Sequence, residues 1–409
     1  MEFFRGRERT DAPGRIDLDA LYYDRSSEKF IKALRTFPML FNLTLRQLEK
    51  QVIENLKNGN TTIHKELYKA HSENLSMGVA GVMNSDNYSD KYFDLQQQLQ
   101  ANVSRFAAYK AYQATQQIKC QLADEDGVER SDADYRKYAK AVFDTYHRYQ
   151  IAEYNTTVAR ARTAKQWTDF NSDELSNEMY PNLKWLPSSS ATPREEHRVF
   201  WGLVLPKDHP FWQTNQPGNI WNCKCDWEET DEPAAEAYPK TKIAATGLEG
   251  NPAETGEVFT DNATYFSNLS KKQQKEVARE YRALETENLS TKYKGSGNIV
   301  NYTNIQSGKI LESNNAYKRM LEHCYGEDQF AAARAIPYEY QNFENPRPED
   351  IGTRKKSDKK SQKNIQKKIK RGVVEYVWYD WKFNNMDYVV AMEKHTKGFE
   401  QVYGIYKKK

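Results

Sequence analysis

Residues 194–225 read REEHRVFWGLVLPKDHPFWQTNQPGNIWNCKC. Glycine or proline interrupts this stretch every few positions, and its apolar residues do not recur at helical spacing. Three tryptophans, Trp201, Trp212 and Trp221, lie among these turns. Large aromatic rings supply much of the buried area in short segments with little regular structure. The stretch therefore predicts a compact loop-and-hairpin module whose folding depends on its tryptophans.

The same stretch concentrates residue types that bind metals, because imidazole and thiolate are the preferred ligands of zinc. His197, Cys223 and Cys225 are the candidate ligands of a structural zinc site, and His209 is nearby. Only one residue separates the two cysteines, which strains chelation by both sulfurs. The alternative is a hydrogen-bonded histidine beside two small buried thiols. A cysteine nucleophile would need a positioned histidine base, which the sequence does not indicate.

An ordered series of short motifs surrounds these residues. From the acidic turn before His197 it runs through a Trp-Gly step, a Pro-Phe-Trp step, a Pro-Gly turn and Trp-x-Cys-x-Cys. The series resembles the signature of the phage Mu F-like head morphogenesis proteins, also called minor head proteins, over about residues 100–228. It departs from that family at Pro217-Gly218, where paired prolines are frequent. The residues that match the family signature are Arg160, Arg162, His197, Gly202, Pro210, Trp212, Pro217, Trp221, Cys223 and Cys225.

The resemblance implies a minor head protein of a tailed phage or prophage that acts in capsid assembly near the portal. Portal and capsid proteins would be its partners, and packaged DNA could lie within its reach. It would be present in few copies, first in the host cytoplasm during assembly and then in the virion, in the capsid interior.

The composition of the chain argues against several other classes of protein. The chain has 409 residues with a net charge of +3, which gives no global electrostatic attraction to nucleic acid. Four cysteines in a chain of this length do not predict a disulfide scaffold. No apolar run approaches the length of a membrane span, and the first residues lack a signal-peptide core, so we expect a cytoplasmic protein without a membrane partner.

The order of patterns predicts an α+β chain. We expect an N-terminal arm (1–40), a mainly helical head-morphogenesis domain that ends in the small Trp/Cys module (41–228), a linker with one short helix (229–295), and a small α+β domain with antiparallel strands (296–409). In the clearest helix, which Ser131 opens, one face carries tyrosines and small apolar residues: Tyr135, Tyr138, Ala139, Val142, Tyr146 and Tyr149. Asn384-Asn385 predicts a hairpin turn between two C-terminal strands.

A basic run precedes the first of these strands. Its cations attract phosphate backbones without base specificity, and the aromatic residues that follow could stack on unpaired bases. The other interpretation is a solvated helix face. The candidate nucleic-acid-binding residues are Arg354, Lys355, Lys356, Lys359, Lys360, Lys363, Lys367, Lys368, Arg371, Trp378 and Trp381.

The tail also resembles the barnase, EndoU and colicin-like nuclease toxin domains of phages, although Arg347 and Pro348 stand where related tails carry an acid. This resemblance implies an alternative function, a delivery module fused to a ribonuclease-type toxin. His323 and His395 would be the candidate general acid and base, and Lys355 would stabilise phosphate charge. The alternative, which the sequence favours for each histidine taken alone, is an ordinary surface or packed residue.

Overall fold

The computed structural model describes residues 47–59, 61–85, 90–172, 174–190, 193, 195–291, 297–352 and 359–408, and for residues 290, 291, 359 and 360 only the backbone. The chain divides into two compact units at Val277 and Ala278. The first is mainly helical and the second combines helices with a mostly antiparallel sheet, which confirms the predicted α+β class. Among the described helices, none has the length and apolar composition needed to cross a lipid bilayer.

Long helices build the first unit. Residues 47–58 form α1, followed by α2 (Lys65–Met83), α3 (Phe93–Cys120), α4 (Asp132–Phe170) and α5 (Glu174–Met179). Ser131 caps α4 as its sequence predicts, because its hydroxyl accepts a hydrogen bond from the backbone N–H of Asp134. Helix α2 approaches α4 closely at Gly78, where a Cβ atom would lie 3.1 Å from the ring of Tyr154. A small residue at this position is therefore a packing requirement.

The buried face of α4 differs from the predicted tyrosine face. Tyr135 and Tyr146 are buried, but Tyr138 is 43% exposed and Tyr149 is 53% exposed. The inner face is completed instead by Phe143 and other buried residues further along the helix. The predicted residues come from two faces of α4. Some of them lie one position away from the residues that the 3.6-residue repeat turns toward the core.

The Trp/Cys module adds a small sheet to the end of α4. Strand β1 (Asn182–Leu186) pairs antiparallel with β2 (Val204–Pro206) and with β3 (Asp226–Thr230), so that the strand order is β2-β1-β3. Between the strands lie the short helices α6 (Glu195–Arg198) and α7 (Phe211–Thr214). Trp185, Trp212 and Trp227 are almost fully buried in its core.

Residues 231–277, the larger part of the segment predicted as a linker with one short helix (229–295), fall within the first unit. Helix α8 (Pro252–Thr255) packs on α4, and α9 (Thr264–Ser267) packs on α3. Leu248, Val258 and Phe259 are completely buried. Helix α10 (Lys271–Thr291) then carries the chain across the boundary between the units. Residues 231–237 are exposed, whereas the turns around Gly247 and Asn251 are buried.

The second unit is built on a six-stranded sheet with the order β4-β5-β9-β8-β7-β6. Its strands are β4 (Asn298–Asn301), β5 (Lys309–Glu312), β6 (Glu344–Asp350), β7 (Val373–Phe383), β8 (Met386–His395) and β9 (Glu400–Lys407). All pairs are antiparallel except β5 with β9. Helices α11 (Asn314–Glu322), α12 (Glu327–Glu339) and α13 (Lys359–Lys370) accompany the sheet. The turn at Asn384 and Asn385 has positive φ at both residues, as the sequence predicts.

Candidate functional site

The structure brings the three predicted metal ligands together. The Sγ atom of Cys223 lies 3.2 Å from Nδ1 of His197, and the Sγ atom of Cys225 lies 3.3 Å from the same nitrogen. All three ligand atoms lie within 4.8 Å of one another. His197 and Cys223 are buried, and Cys225 is partly exposed. His209 takes no part, because its Nδ1 accepts a hydrogen bond from the backbone N–H of Phe211.

Local backbone geometry aims the two sulfurs the same way. Asn222, immediately before Cys223, adopts a positive φ of 61°, which reverses the chain into the Cys-x-Cys segment. The backbone N–H of Cys225 then donates to Sγ of Cys223 over 3.4 Å. His197 reaches the cysteines from α6, where the edge of its ring packs on Trp185 at 5.3 Å between centroids. Both sulfurs reach the same imidazole nitrogen although only Lys224 separates the two cysteines.

The two thiols differ in acidity because they share one hydrogen bond. The pKa of Cys225 is lowered to about 5, first by its hydrogen bond with Cys223 and then by His197, against the effect of burial. The pKa of Cys223 is raised well above its ordinary value by the same bond and by burial. Of the two thiols, Cys225 is therefore the one with the lower pKa. A thiolate is the form of cysteine that binds metals.

This arrangement does not resemble a cysteine-protease-like dyad. In such a dyad a third group orients the histidine base through its second nitrogen. Within the described residues, Nε2 of His197 has no hydrogen-bond partner although it is buried. Nucleophilic catalysis therefore has less support here than metal binding.

Side chains of helix α4 contact residues 217–226, the segment that contains both cysteines (the cysteine segment). The amide of Asn155 donates to Asn222 over 2.8 Å, and the hydroxyl of Thr163 donates to the carbonyl of Pro217 over 2.7 Å. Arg162 forms an ion pair with Asp226 at the start of β3. Gly218, with φ of 90°, passes so close to α4 that a Cβ atom would lie 3.4 Å from its backbone. A Cβ atom at this distance would make ordinary contact with the helix, so the positive φ is what favours glycine here.

Arg160, one of the residues on which the family resemblance rests, joins α4 to a loop far along the chain. This side chain is 1% exposed, and its guanidinium donates to the carbonyls of four residues in the loop that follows the module: Leu248, Glu249, Gly250 and Glu257. Burial lowers its pKa to about 10, so it remains charged at neutral pH. Five N–H donors in a planar fork suit a loop that presents several carbonyls to one point.

The other signature residues have supporting positions. Gly202 has a φ of 78°, Pro210 precedes α7, and Trp212 donates through Nε1 to the carbonyl of Pro206 over 2.9 Å. Trp221 is only partly buried and stacks on Phe259 at 5.6 Å. Sequence reasoning missed Trp185 and Trp227, which face each other across β1 and β3 and fill the core more fully than Trp201 or Trp221. The available signal was the alternation of Leu183 and Trp185 in the short segment NLKWL, whereas DWEET contains only one apolar residue.

The chain was also compared with known proteins. It is 26% identical over 119 residues to the protein named "Putative capsid assembly protein F" of Escherichia phage Mu. The chain is similar to a phage capsid assembly protein. The similarity covers 25% of this chain and spans 25% of the length of that relative. No family model matches the chain, and no solved structure matches it.

The catalytic candidates of the second unit do not form a described site. His323 is exposed at the end of α11, and its Nδ1 lies 2.6 Å from the carbonyl oxygen of Arg319. His395 is half-buried at the end of β8, where its ring stacks on Phe399 at 4.7 Å. Desolvation lowers the pKa of His395 below the ordinary histidine value. Lys355 lies outside the described residues, so the geometry supports no catalytic pair.

The aromatic candidates lie on opposite faces of the sheet. Trp381 is 3% exposed, packs against Phe343 and Tyr388, and is not accessible to a base. Trp378 lies on the other face, near Tyr406, which is 45% exposed, at 6.0 Å between centroids. A three-residue separation on a strand places side chains on different faces. Only Trp378 is therefore available to contact a ligand on this sheet.

The basic run is similarly divided. Lys363, Lys367 and Arg371 are exposed along α13 and just after it. Lys368 instead points inward, with an ion pair to Glu393 at 2.7 Å and its Nζ 3.5 Å from the ring centroid of Tyr403. Arg354, Lys355 and Lys356 lie outside the described residues, and the side chains of Lys359 and Lys360 are not described.

Proposed function

We propose that the protein acts in capsid assembly as a minor head protein of a tailed phage or prophage, positioned near the portal. The observation that carries this proposal is the similarity to the Mu capsid assembly protein. The first unit supports it, because Arg160, Arg162 and the cysteine segment form one interconnected structure. Residues that match a family in sequence order support the resemblance more strongly when the structure also places them close together.

The partners in this proposal are portal and capsid proteins. The protein would act in the host cytoplasm while heads assemble and would then remain in the capsid interior. Helix α4 offers one surface for such contacts, because Tyr138 and Tyr149 expose large parts of their rings. Tyrosine is enriched at protein interfaces because its ring contributes apolar area while its hydroxyl stays solvated.

Co-purification with the portal protein of the same genome tests the position near the portal. We expect the full chain to capture portal protein under mild conditions, and the variant Tyr149→Glu to capture less while its thermal unfolding is unchanged. Leu175→Glu is a control, because Leu175 is also exposed but lies on α5. Failure of the wild-type chain to capture portal protein would contradict the placement.

A second proposal concerns nucleic acid. The outer face of the second unit's sheet combines the rings of Trp378 and Tyr406 with the exposed cations of α13. The acids on this face are already engaged: Glu349 accepts from Nε1 of Trp378, and Asp380 is paired with Arg347. Stacking rings beside exposed positive charge are the components of a single-strand platform. Such a face would contact packaged phage DNA or, in the alternative of a toxin domain, host RNA.

Binding of a labelled single strand to the full chain tests this proposal. We expect Trp378→Ala to weaken binding about tenfold, because base–aromatic stacking contributes on the order of 1–3 kcal/mol. Lys363→Gln combined with Lys367→Gln should flatten the dependence of log Kd on log salt by about 1.4, at roughly 0.7 for each phosphate contact. Lys318→Gln, which removes an exposed lysine from α11, should leave that slope unchanged.

The absence of binding at low salt would reject the nucleic-acid face. The ribonuclease alternative needs a separate measurement, in which the full chain is incubated with tRNA with and without EDTA. Cleavage that is lost in His395→Ala would support that alternative, and intact RNA in every condition would reject it.

A further inference from the structure

We propose that His197, Cys223 and Cys225 bind one zinc ion. Three ligand atoms of the types that zinc prefers converge on one point inside the Trp/Cys module. With Zn–S and Zn–N bonds of about 2.3 and 2.0 Å, a tetrahedral site separates sulfur from nitrogen by about 3.5 Å. The two distances in the structure, 3.2 and 3.3 Å, are close to that value. Small adjustments of the side chains would admit the ion.

Hydrogen bonding alone accounts poorly for this convergence. Nδ1 of an imidazole either donates one hydrogen or accepts one, and thiols are weak partners in both roles. Here the two sulfurs lie at nearly equal distances from the same nitrogen, so one nitrogen cannot satisfy both well. A cation placed among the three atoms interacts favourably with each of them. The N–H of Cys225 that donates to Cys223 Sγ would then steady a metal-bound sulfur.

The fourth position of the zinc would be open to solvent. Among the described residues, no fourth histidine, cysteine or carboxylate joins the group. Asp226, the nearest acid in sequence, is bound to Arg162 and to the amide of Gln166. A small cleft adjoins both cysteines and is lined by α4 and by the segment before β3. Water from this cleft would complete the tetrahedron.

The ion would connect two parts of the module that are otherwise linked mainly through the tryptophan core. His197 lies on α6, whereas the cysteines directly precede β3 and lie against α4. Because the unfolded chain presents no preformed site, metal binding would add to the stability of the folded module. The role is therefore structural, and it stands whether or not the protein acts in capsid assembly.

Metal analysis of the full chain, purified without chelator or added metal, tests the inference. We expect about one equivalent of zinc by mass spectrometry, and less than a tenth in His197→Ala and Cys223→Ser. The matched controls His209→Ala and Cys324→Ser should retain the metal, because neither residue belongs to the group. Less than a tenth of an equivalent in the wild-type chain, or zinc that persists in both ligand variants, would overturn the proposal.

A spectroscopic measurement on the wild-type chain does not depend on whether the variants fold. Cobalt(II) exchanged into the wild-type chain should give the intense visible bands of a tetrahedral site and the ultraviolet band of a cobalt–thiolate bond. Stripping the metal should lower the thermal midpoint by several degrees, and adding zinc back should restore it. Weak octahedral bands without a thiolate band, or a midpoint indifferent to zinc, would also overturn the inference.

Discussion

Replacing Arg160 by alanine is expected to destabilise the first unit by about 3–5 kcal/mol, because four backbone carbonyls lose a charged donor and the buried side chain leaves a cavity. The guanidinium bonds to Leu248, Glu249, Gly250 and Glu257 join α4 to a loop nearly a hundred residues away. For a domain of this size the loss corresponds to a fall in thermal midpoint on the order of 10 °C. Calorimetry of the full chain measures it.

The control is on the same helix. Arg136 forms ion pairs with Glu54 and Asp132 on the surface of the first unit. Its replacement by alanine should change the midpoint little, because exposed ion pairs contribute little to stability. Arg160→Lys should recover only a minor part of the loss, since one ammonium group cannot reach four carbonyls in two directions. Equal midpoints for the two alanine variants would show that Arg160 is not a structural clamp.

The second large effect is expected at the buried ion pair of Lys110 and Glu153. Their side chains are 0% and 4% exposed, and the second oxygen of Glu153 accepts a hydrogen bond from Tyr265 over 2.9 Å. Removing one charge leaves the other buried and unpaired, which costs about 3–5 kcal/mol. We therefore expect Lys110→Met and Glu153→Gln each to lower the thermal midpoint strongly.

The double variant separates charge from packing. Lys110→Met combined with Glu153→Gln leaves no charge at this position, and the glutamine carbonyl can still accept from Tyr265. Replacing a whole buried pair is often close to neutral. The double variant should therefore unfold at a higher temperature than either single variant. Additive losses in the double variant would contradict this account.

The pH dependence of Glu153→Gln follows from Lys110. Burial lowers the pKa of Lys110, and the charge of Glu153 opposes that shift. Without Glu153, the folded chain favours the neutral amine, so between the folded and unfolded pKa the unfolded state binds more protons. Stability then rises with pH over that range. The deficit of Glu153→Gln relative to wild type should shrink between pH 7 and pH 9, and a deficit that grew instead would contradict the assignment.

The sequence predicted well those helices and strands whose ends are marked by a capping or turn residue. Ser131 marks the start of α4, and Asn384-Asn385 marks the hairpin, because capping and positive φ depend on neighbouring residues alone. Strand β6 was missed because Pro346 and Pro348 argue against a strand. The structure places it at the edge of the sheet, where a missing N–H is tolerated.

Long-range packing was not predictable in the same way. The residues of the candidate zinc site were identified from their types, but their convergence depends on the turn at Asn222 and on the helix α6. The donors of Arg160 find their acceptors in residues 248–257, a segment whose composition indicated a linker. The inward position of Lys368 on α13 depends on Glu393, a partner on strand β8.

The composition of assembling heads tests the capsid-assembly proposal most directly. Procapsids would be purified from cells that assemble heads of the source phage or prophage, and their proteins quantified by mass spectrometry. We expect the wild-type chain in few copies per procapsid. The destabilised Arg160→Ala variant should be present in far fewer copies, and Arg136→Ala should be present in the same number as the wild-type chain. Procapsids that form normally and contain none of the folded wild-type chain would contradict a role in capsid assembly.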